Sequence, residues 1–304
     1  MGAGGVGGYF GARLQQAGHQ VVYFARGKHL AALKEKGLTL RSPHGAAQLR
    51  VQVFADPSET QPVDVVMFAV KLWDTENAAE QLRPVVGPRT VVIPFQNGVE
   101  SIERLKKIFP EENVLGGSAY IATRIAAPGV IEHIGTMAGI EFGALRPSQR
   151  APAEQFLAAC QAAKVNAKLS EDIERVIWQK FIFLVGLSSA TAVARAPLGV
   201  VRTDPELRWL FEQAMRETWR LAKARNVAVP DDFVETRLAF AETLPAEMKA
   251  SLAHDLENGG KLEAPWLCGA VARMSAQAGL DAPVNRAVYA ALRPFVDGSP
   301  GKAA

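Results

Sequence analysis

The first seven residues, Met1-Gly-Ala-Gly-Gly-Val-Gly7, constrain this chain more than any other stretch, because Gly2, Gly4 and Gly7 satisfy G-x-G-x-x-G. In such a loop the first glycine allows a tight turn and the second lets the backbone approach a pyrophosphate. The third lets the following helix pack closely on a strand. The helix start then offers unpaired N–H groups to an anion. Glycine-rich starts also occur as plain turns, so the residues that follow decide. A helical stretch from Val6 to Ala17 stops at Gly18, and the apolar run Val21-Val-Tyr-Phe24 comes next. Turn, helix and second strand at this spacing read as a βαβ unit. Gly2, Gly4, Gly5, Val6 and Gly7 are therefore the candidate phosphate-binding residues.

A fingerprint of this kind follows a strand, normally the central and most buried one of its sheet. No strand precedes Gly2 here. Its loss would leave neighbouring strands with unpaired backbone groups in the core. The expectation is a first strand lying upstream of Met1; the alternative is a sheet built without its centre.

Cofactor choice is read from a missing acid. NAD-binding folds place Asp or Glu about twenty residues after the glycines, on the ribose hydroxyls. This chain has no acidic residue before Glu35, and Arg26 stands just after the second strand, followed by Lys28. A carboxylate there would repel a 2′-phosphate, whereas a guanidinium binds it by charge and can stack on adenine. NADP is the expected cofactor.

With 304 residues the chain has room for two domains. Its net charge of +3 is too small to argue for nucleic acid or a membrane surface. Cys160 and Cys268 give neither a disulfide framework nor zinc spacing, and the five histidines are scattered, so no metal is expected. There is no run of eighteen apolar residues and no basic-then-apolar leader, which makes a cytoplasmic enzyme the default.

Short β runs alternate with helical patterns through the first half. The strand candidates are Val21–Phe24, Leu38–Leu40, Leu49–Phe54, Val63–Val70, Thr90–Pro94, Val114–Ala119, Gly129–His133 and Gly139–Phe142. The alternation predicts an α/β fold with a parallel sheet covered on both faces. The segments around Pro128-Gly129 and Gly135–Gly139 suggest an antiparallel hairpin at the sheet edge. Beyond about Ser170 the pattern is helical, opening with a stretch from Glu171 to Ala194 that is apolar on most faces and so expected to be buried. The reading is a Rossmann-type NADP-binding domain over residues 1–168, then an all-helical domain over 169–304. The last residues, Gly298 to Ala304, are expected to fray.

Candidate chemistry sits at strand ends and in the long apolar helix. Lys71 ends one strand run and Asn97-Gly98 follows another, where open α/β sheets bind ligands; both are also ordinary positions for solvated loop residues. Lys180 lies within Trp178-Gln-Lys-Phe-Ile-Phe-Leu-Val-Gly-Leu187. Such a lysine either snorkels to solvent or faces a cleft with a lowered pKa, suited to protonate a substrate. Glu263 opens a helix after Asn258-Gly-Gly260, where a first-turn acid also suits the helix dipole.

Over nearly its whole length the chain resembles the ketopantoate reductase (2-dehydropantoate 2-reductase) family. The likeness rests on Gly2-x-Gly4-x-x-Gly7, Arg26, Lys71, Phe95-Gln-Asn97-Gly98, Pro128-Gly-Val, Trp178-x-Lys180, Ser251-x-x-x-Asp255, Glu263 and Ala282-Pro-Val-Asn285. The resemblance implies that NADPH reduces the ketone of a small 2-oxo acid, with Lys180 donating the proton and Glu263 holding the reacting groups and cofactor. It implies that Asn97 touches nicotinamide and substrate, that Lys71 and Ala122 lie on the cofactor side, and that Ser251 contacts the substrate. A homodimer is allowed for; nucleic acid and membrane are not expected partners.

The chain also departs from that family. The family's asparagines four and eight residues after the lysine are here Leu184 and Ser188, on the same helix face. A further asparagine, eighteen residues on, corresponds to Leu198, and Cys268 replaces the asparagine of an Asn-Gly pair. A site that hydrogen-bonds substrate hydroxyls discriminates by those bonds, so substrate identity is affected more than reaction type. The alternatives are a reductase for a less polar 2-oxo acid and a non-catalytic NADPH sensor, the latter disfavoured because both Lys180 and Glu263 are kept.

Overall fold

A computed structural model describes residues 1–299 as two compact units, one spanning Met1–Val176 and the other starting at Ile177. The expectation of fraying from Gly298 falls largely on residues 300–304, outside the described part.

In chain order the first unit contains α1 (Gly5–Gln16), β1 (Val22–Phe24), α2 (Gly27–Lys36), β2 (Leu38–Arg41), β3 (Ala47–Leu49), β4 (Gln52–Phe54), β5 (Val65–Phe68), α3 (Thr75–Leu82), β6 (Val91–Pro94), α4 (Ser101–Lys106), β7 (Gly116–Ala127), β8 (Val130–Gly143), α5 (Arg150–Ala162) and β9 (Asn166–Leu169). β1 pairs with β4 and β5 with β6, both in parallel, and Val92 bridges Val114 in parallel. Between the two pairs lie Met1 to Ala3. The Met1 amine donates to Met67 O at 2.9 Å, Ala69 N–H donates to Met1 O at 2.9 Å, and Ala3 N–H donates to Phe24 O at 3.0 Å. Across the sheet the order is therefore β4, β1, Met1–Ala3, β5, β6 and Val114, that of a doubly wound nucleotide-binding sheet.

Strand alternation supplies both cores. Val66, Phe68 and Val92 point to one face, against Ala79 and Leu82 of α3 and Leu105 of α4. Val65, Met67, Val91 and Ile93 point to the other, in the cluster that holds Phe10 of α1, Phe142 of β8 and Phe156 of α5. Burial on both faces explains why these strands read as unbroken apolar runs.

A second sheet corrects the sequence reading. β7 and β8 form one long antiparallel hairpin turning at Pro128-Gly129, and β8 pairs in parallel with β2 and with β9. This hairpin is not an edge of the parallel sheet; it builds its own sheet in the order β3-β2-β8-β7, with β9 on β8. The expected break at Gly135–Gly139 does not occur. The register passes from Ala122↔Ile134 to Ile121↔Ala138, so Gly135 to Met137 bulge out while the strand continues. The single expected run Leu49–Phe54 is two strands, β3 and β4.

The second unit is helical. α6 (Ile173–Ala194), whose first turns belong to the first unit, is followed by α7 (Leu198–Thr203), α8 (Pro205–Ala224), α9 (Phe233–Glu242), α10 (Ser251–Glu257), α11 (Cys268–Gln277) and α12 (Pro283–Leu292). α6 is long and apolar enough to cross a membrane, but 72% of its most apolar window is buried in the protein. Its Gly186 lets α8 approach: a Cβ there would lie 2.5 Å from Met215 Cγ. α8 is capped by Asp204, which accepts from Glu206 and Leu207 N–H. In turn α8 caps α12, since the buried Glu217 carboxylate accepts from Val284 N–H, Asn285 N–H and Asn285 Nδ2 at 2.8–2.9 Å.

Candidate active site

The glycine loop behaves as its spacing demands. Gly2 has φ +85°, and a Cβ there would fall 2.9 Å from the backbone of Ala69 and Val70. A Cβ on Gly7 would strike the carbonyl oxygen of Gly2. Around Gly4, by contrast, a Cβ would meet nothing within 4 Å. The first and third glycines are thus required by protein packing, and the second leaves room for a ligand. Gly4 is the N-cap of α1, with no side-chain cap and no acidic residue in the first turn. With open space at Gly4 and no acidic side chain in the first turn, this helix start fits a dinucleotide pyrophosphate.

Two further residues hold this loop and escaped the sequence reading. His29 Nε2 lies 2.8 Å from Ala3 O, and its Nδ1 accepts from Gly129 N–H at 3.0 Å. An accepting Nδ1 places the ring proton on Nε2, so the neutral ring donates to Ala3 O and ties the loop to the β7–β8 turn. Thr123 of β7 lies against Gly5, its Oγ1 2.5 Å from where a Cβ of Gly5 would be. Its neighbour Ala122 is exposed, at the bulge of β7.

Arg26 is the N-cap of α2, with its side chain 64% exposed. Its Nη2 donates to Asp74 Oδ2 at 2.6 Å. This acid lies 48 residues away, carries no local sequence signal, and reaches Arg26 because β1 and β5 flank Met1–Ala3. An exposed pair of this kind is worth about 0–1 kcal/mol. It orients the guanidinium while leaving other N–H donors for a phosphate.

Lys71 and Asn97 follow β5 and β6, at the same sheet end as the glycine loop. Lys71 is exposed and places Nζ 5.5 Å from the centre of the Trp73 ring. Asn97 is half-buried before the Gly98 turn at φ +83°. The preceding Gln96 fastens this loop, donating from Nε2 to Val70 O and Thr75 Oγ1, both at 2.9 Å.

The other candidates lie in the helical unit. Lys180 is half-buried on α6. Burial pulls its ammonium pKa down to about 8, and the Glu263 carboxylate acts in the opposite direction. The structure thus brings together Lys180 and Glu263, 83 residues apart. Glu263 is buried at 6% exposure, at the start of the short turn Ala264–Trp266 that leads into α11. Leu184 and Ser188 continue the lysine face of α6. Leu184 is half-buried, and Ser188 is 1% exposed with a hydroxyl that has no hydrogen-bond partner. One turn further, Thr191 Oγ1 accepts from Ala250 N–H at 3.4 Å. That contact sets the exposed Ser251, first residue of α10, near the end of the same face. Leu198 is fully buried in α7, a core position. Burial pushes the thiols of Cys160 and Cys268 up to about 12, so neither is an activated nucleophile.

Comparison with known proteins shows the family of the chain. The family model described as Ketopantoate reductase PanE/ApbA matches residues 1–147, and its C-terminal counterpart matches residues 172–296. A 2-dehydropantoate 2-reductase of Archaeoglobus fulgidus is 32% identical, covering 96% of this chain and 95% of its own. An uncharacterized oxidoreductase, YkpB, of Bacillus subtilis is 29% identical, with 97% of each chain covered. Among solved structures, a PanE/ApbA family ketopantoate reductase from Ralstonia eutropha superposes with a TM-score of 0.89 at 31% identity, over 97% of each chain.

Proposed function

Because the chain belongs to the ketopantoate reductase family, we propose that it reduces 2-dehydropantoate, or a closely related branched 2-oxo acid, with Lys180 as the proton donor. The coarser activity comes with the family: the protein is an NADP-dependent oxidoreductase acting on a 2-oxo acid. The observation that carries the finer reading is the pairing of Lys180, on the largely apolar helix α6, with the buried Glu263 before α11.

NADPH, when bound, supplies the hydride for the ketone carbon. The residues that fit it are the open backbone at Gly4, the amides of Gly5, Val6 and Gly7, and Arg26 for the 2′-phosphate. Lys71, Asn97 and Ala122 stand at the same sheet end. As the carbonyl carbon accepts hydride, negative charge builds on its oxygen, and a cation with a transferable proton lowers that barrier. Lys180, with a pKa near 8, is mostly protonated at neutral pH yet gives up its proton more readily than an ordinary lysine. The proton goes from Nζ to the developing alkoxide, leaving a neutral amine that regains a proton from water. Glu263 keeps the ammonium charged and in place. Ser251 and Ser188 offer hydroxyls to the substrate, and Leu184 offers an apolar wall. A cytoplasmic location and a homodimeric assembly complete the proposal; a dimeric relative from Staphylococcus aureus supports the latter.

Leu184 favours a second reading within the same chemistry, a 2-oxo acid without a hydroxyl near the carbonyl. NADPH consumption measured across 2-oxo acids, 2-dehydropantoate and its deoxy analogue among them, decides between the two. A higher kcat/KM for 2-dehydropantoate supports the first reading, and a preference for the deoxy compound supports the second. No turnover of any 2-oxo acid by a folded, NADPH-binding protein would sink both.

A further inference from the structure

α3 opens on an aspartate that leaves its own helix uncapped. At a helix start an aspartate side chain usually accepts from amides of the first turn. Asp74, the N-cap of α3, makes no such bond, and its Oδ2 accepts instead from Arg26 Nη2 at 2.6 Å. Among the described residues Arg26 is its one side-chain partner. With the Arg26 side chain 64% and that of Asp74 25% exposed, the pair contributes little to stability. The helix forgoes its cap for a contact that scarcely strengthens the fold, and both charged groups stay open to a ligand.

The position of the pair identifies the ligand group. Arg26 follows β1 and Asp74 follows β5, on the two sides of the segment that runs into the glycine loop. In a doubly wound sheet the adenosine ribose of a dinucleotide lies there, at the strand ends beside the loop. NAD-selecting folds put a carboxylate at that place to accept from the ribose hydroxyls. No acid follows β1 before Glu35. The fold nonetheless delivers one from 48 residues away, 2.6 Å from the guanidinium that fits a 2′-phosphate. Both kinds of ribose reader thus stand side by side. A carboxylate accepts several bonds and a guanidinium donates several, and the ion pair uses one of each.

We propose that Asp74 selects the cofactor jointly with Arg26: its carboxylate accepts from the 2′-hydroxyl of NADH, so that this protein takes NADH as well as NADPH, and its charge lowers the preference for NADPH. This rests on the reading of Arg26 as the 2′-phosphate contact. With NADH the ion pair stays closed, and the carboxylate accepts from the hydroxyl with capacity that the guanidinium leaves unused. With NADPH the 2′-phosphate takes other donors of Arg26 and lies beside a group of like charge. At groups this exposed the repulsion is screened, so it trims the preference for NADPH and does not abolish it. The glycine loop needs no change for either cofactor, since it meets the pyrophosphate common to both.

Titration of the 304-residue chain with NADPH and with NADH, in the absence of a 2-oxo acid, tests this on Asp74→Ala, Asp74→Asn and Arg26→Ala. Asp74→Ala should weaken NADH binding about tenfold, the scale of a hydrogen bond to a charged group, and leave NADPH as tight as before or a few-fold tighter. Asp74→Asn keeps an oxygen for Arg26 and drops the charge, so it should shift the ratio of the two affinities several-fold toward NADPH. Because Asp74 does not cap α3, both variants should melt close to the parent. An unchanged ratio in both variants would overturn the proposal. So would a selective loss of NADPH, which would make Asp74 a residue that only aims Arg26, and so would equal loss of both cofactors, which would make the pair part of the fold. Arg26→Ala keeps the two readings apart: loss of NADPH alone upholds Arg26 as the phosphate contact. If NADPH binding survives that change, the Arg26 reading fails and the competition with it, while the contact of Asp74 with NADH stands or falls on Asp74→Ala. Should Asp74→Ala fold poorly, Asp74→Asn carries the same comparison.

Discussion

In the proposed function the glycine loop of the first unit binds through backbone, whereas the lysine-bearing face of α6 in the second unit works through side chains. At the loop the protein is shaped by absent atoms: a Cβ at Gly2 or Gly7 collides with neighbouring backbone, and one at Gly4 occupies the approach of a phosphate. Such a site has few tolerated sequences and recognises a group common to all dinucleotides. On α6, Lys180, Leu184 and Ser188 share a face, while Phe181, Ile182 and Val185 are buried in the core. Side chains on that face differ in how they meet the surroundings, Lys180 and Leu184 half-buried and Ser188 buried, so a change there alters chemistry more than backbone geometry. Cofactor use is therefore expected to resist sequence change, and substrate choice to follow it.

That contrast is tested most severely at Lys180. Lys180→Ala should lower kcat by about a hundredfold or more, the usual scale for acid catalysis with charge stabilisation, while NADPH affinity stays near its starting value. Turnover within a few-fold of the parent would remove the side-chain half of the comparison. Titration offers a second route. In the proposed mechanism the ammonium is the competent donor, and burial lowers its pKa to about 8 from an ordinary 10.5. The rate of reduction should be level below pH 8 and fall about tenfold per unit above it. Steady-state rates from pH 6 to 10 that stay flat throughout would exclude Lys180 as the titrating donor.

Smaller effects sharpen the comparison. Arg26→Ala should weaken NADPH binding by about tenfold or more, the scale of a hydrogen bond to a charged group, and leave NADH binding unchanged. Parallel loss of both affinities, measured by fluorescence titration, would mean that Arg26 shapes the loop and does not select the phosphate. The smallest change is expected from Leu184→Asn with Ser188→Asn. Each well-placed bond is worth about 1 kcal/mol, so the kcat/KM ratio for 2-dehydropantoate over its deoxy analogue should rise several-fold. A stably folded double variant with an unchanged ratio would show that this face does not read the substrate. A lowered Tm would show a buried amide without a partner.

What the sequence revealed follows the same division. The loop, α1 and the NADP choice were legible because glycine spacing and an absent acid are local signals. The long helix α6 was legible from its apolar length. The β7–β8 hairpin was misjudged because Gly135 resembles a strand end, and only the pairing with β7 shows that Gly135 to Met137 bulge out and the strand resumes. Asp74 on Arg26 and His29 between Ala3 and Gly129 were invisible for a related reason: each joins segments whose nearness is fixed by strand order. Lys180 beside Glu263 was named through family likeness; spacing alone left the lysine equally able to reach solvent.

The two helices α1 and α8 end differently, and the difference has an energetic consequence. α8 finishes itself, with Asp204 on its first amides; α1 begins at a bare glycine. A self-supplied cap is worth about 0.5–2 kcal/mol to a helix. In α1 that stabilisation is left to be supplied from outside, so an anion that binds there also becomes part of the helix. Affinity and local order are then two measures of one free energy. An acid in place of Gly4 would make α1 sturdier and a poorer host, since the helix would already hold the charge it otherwise takes from its guest.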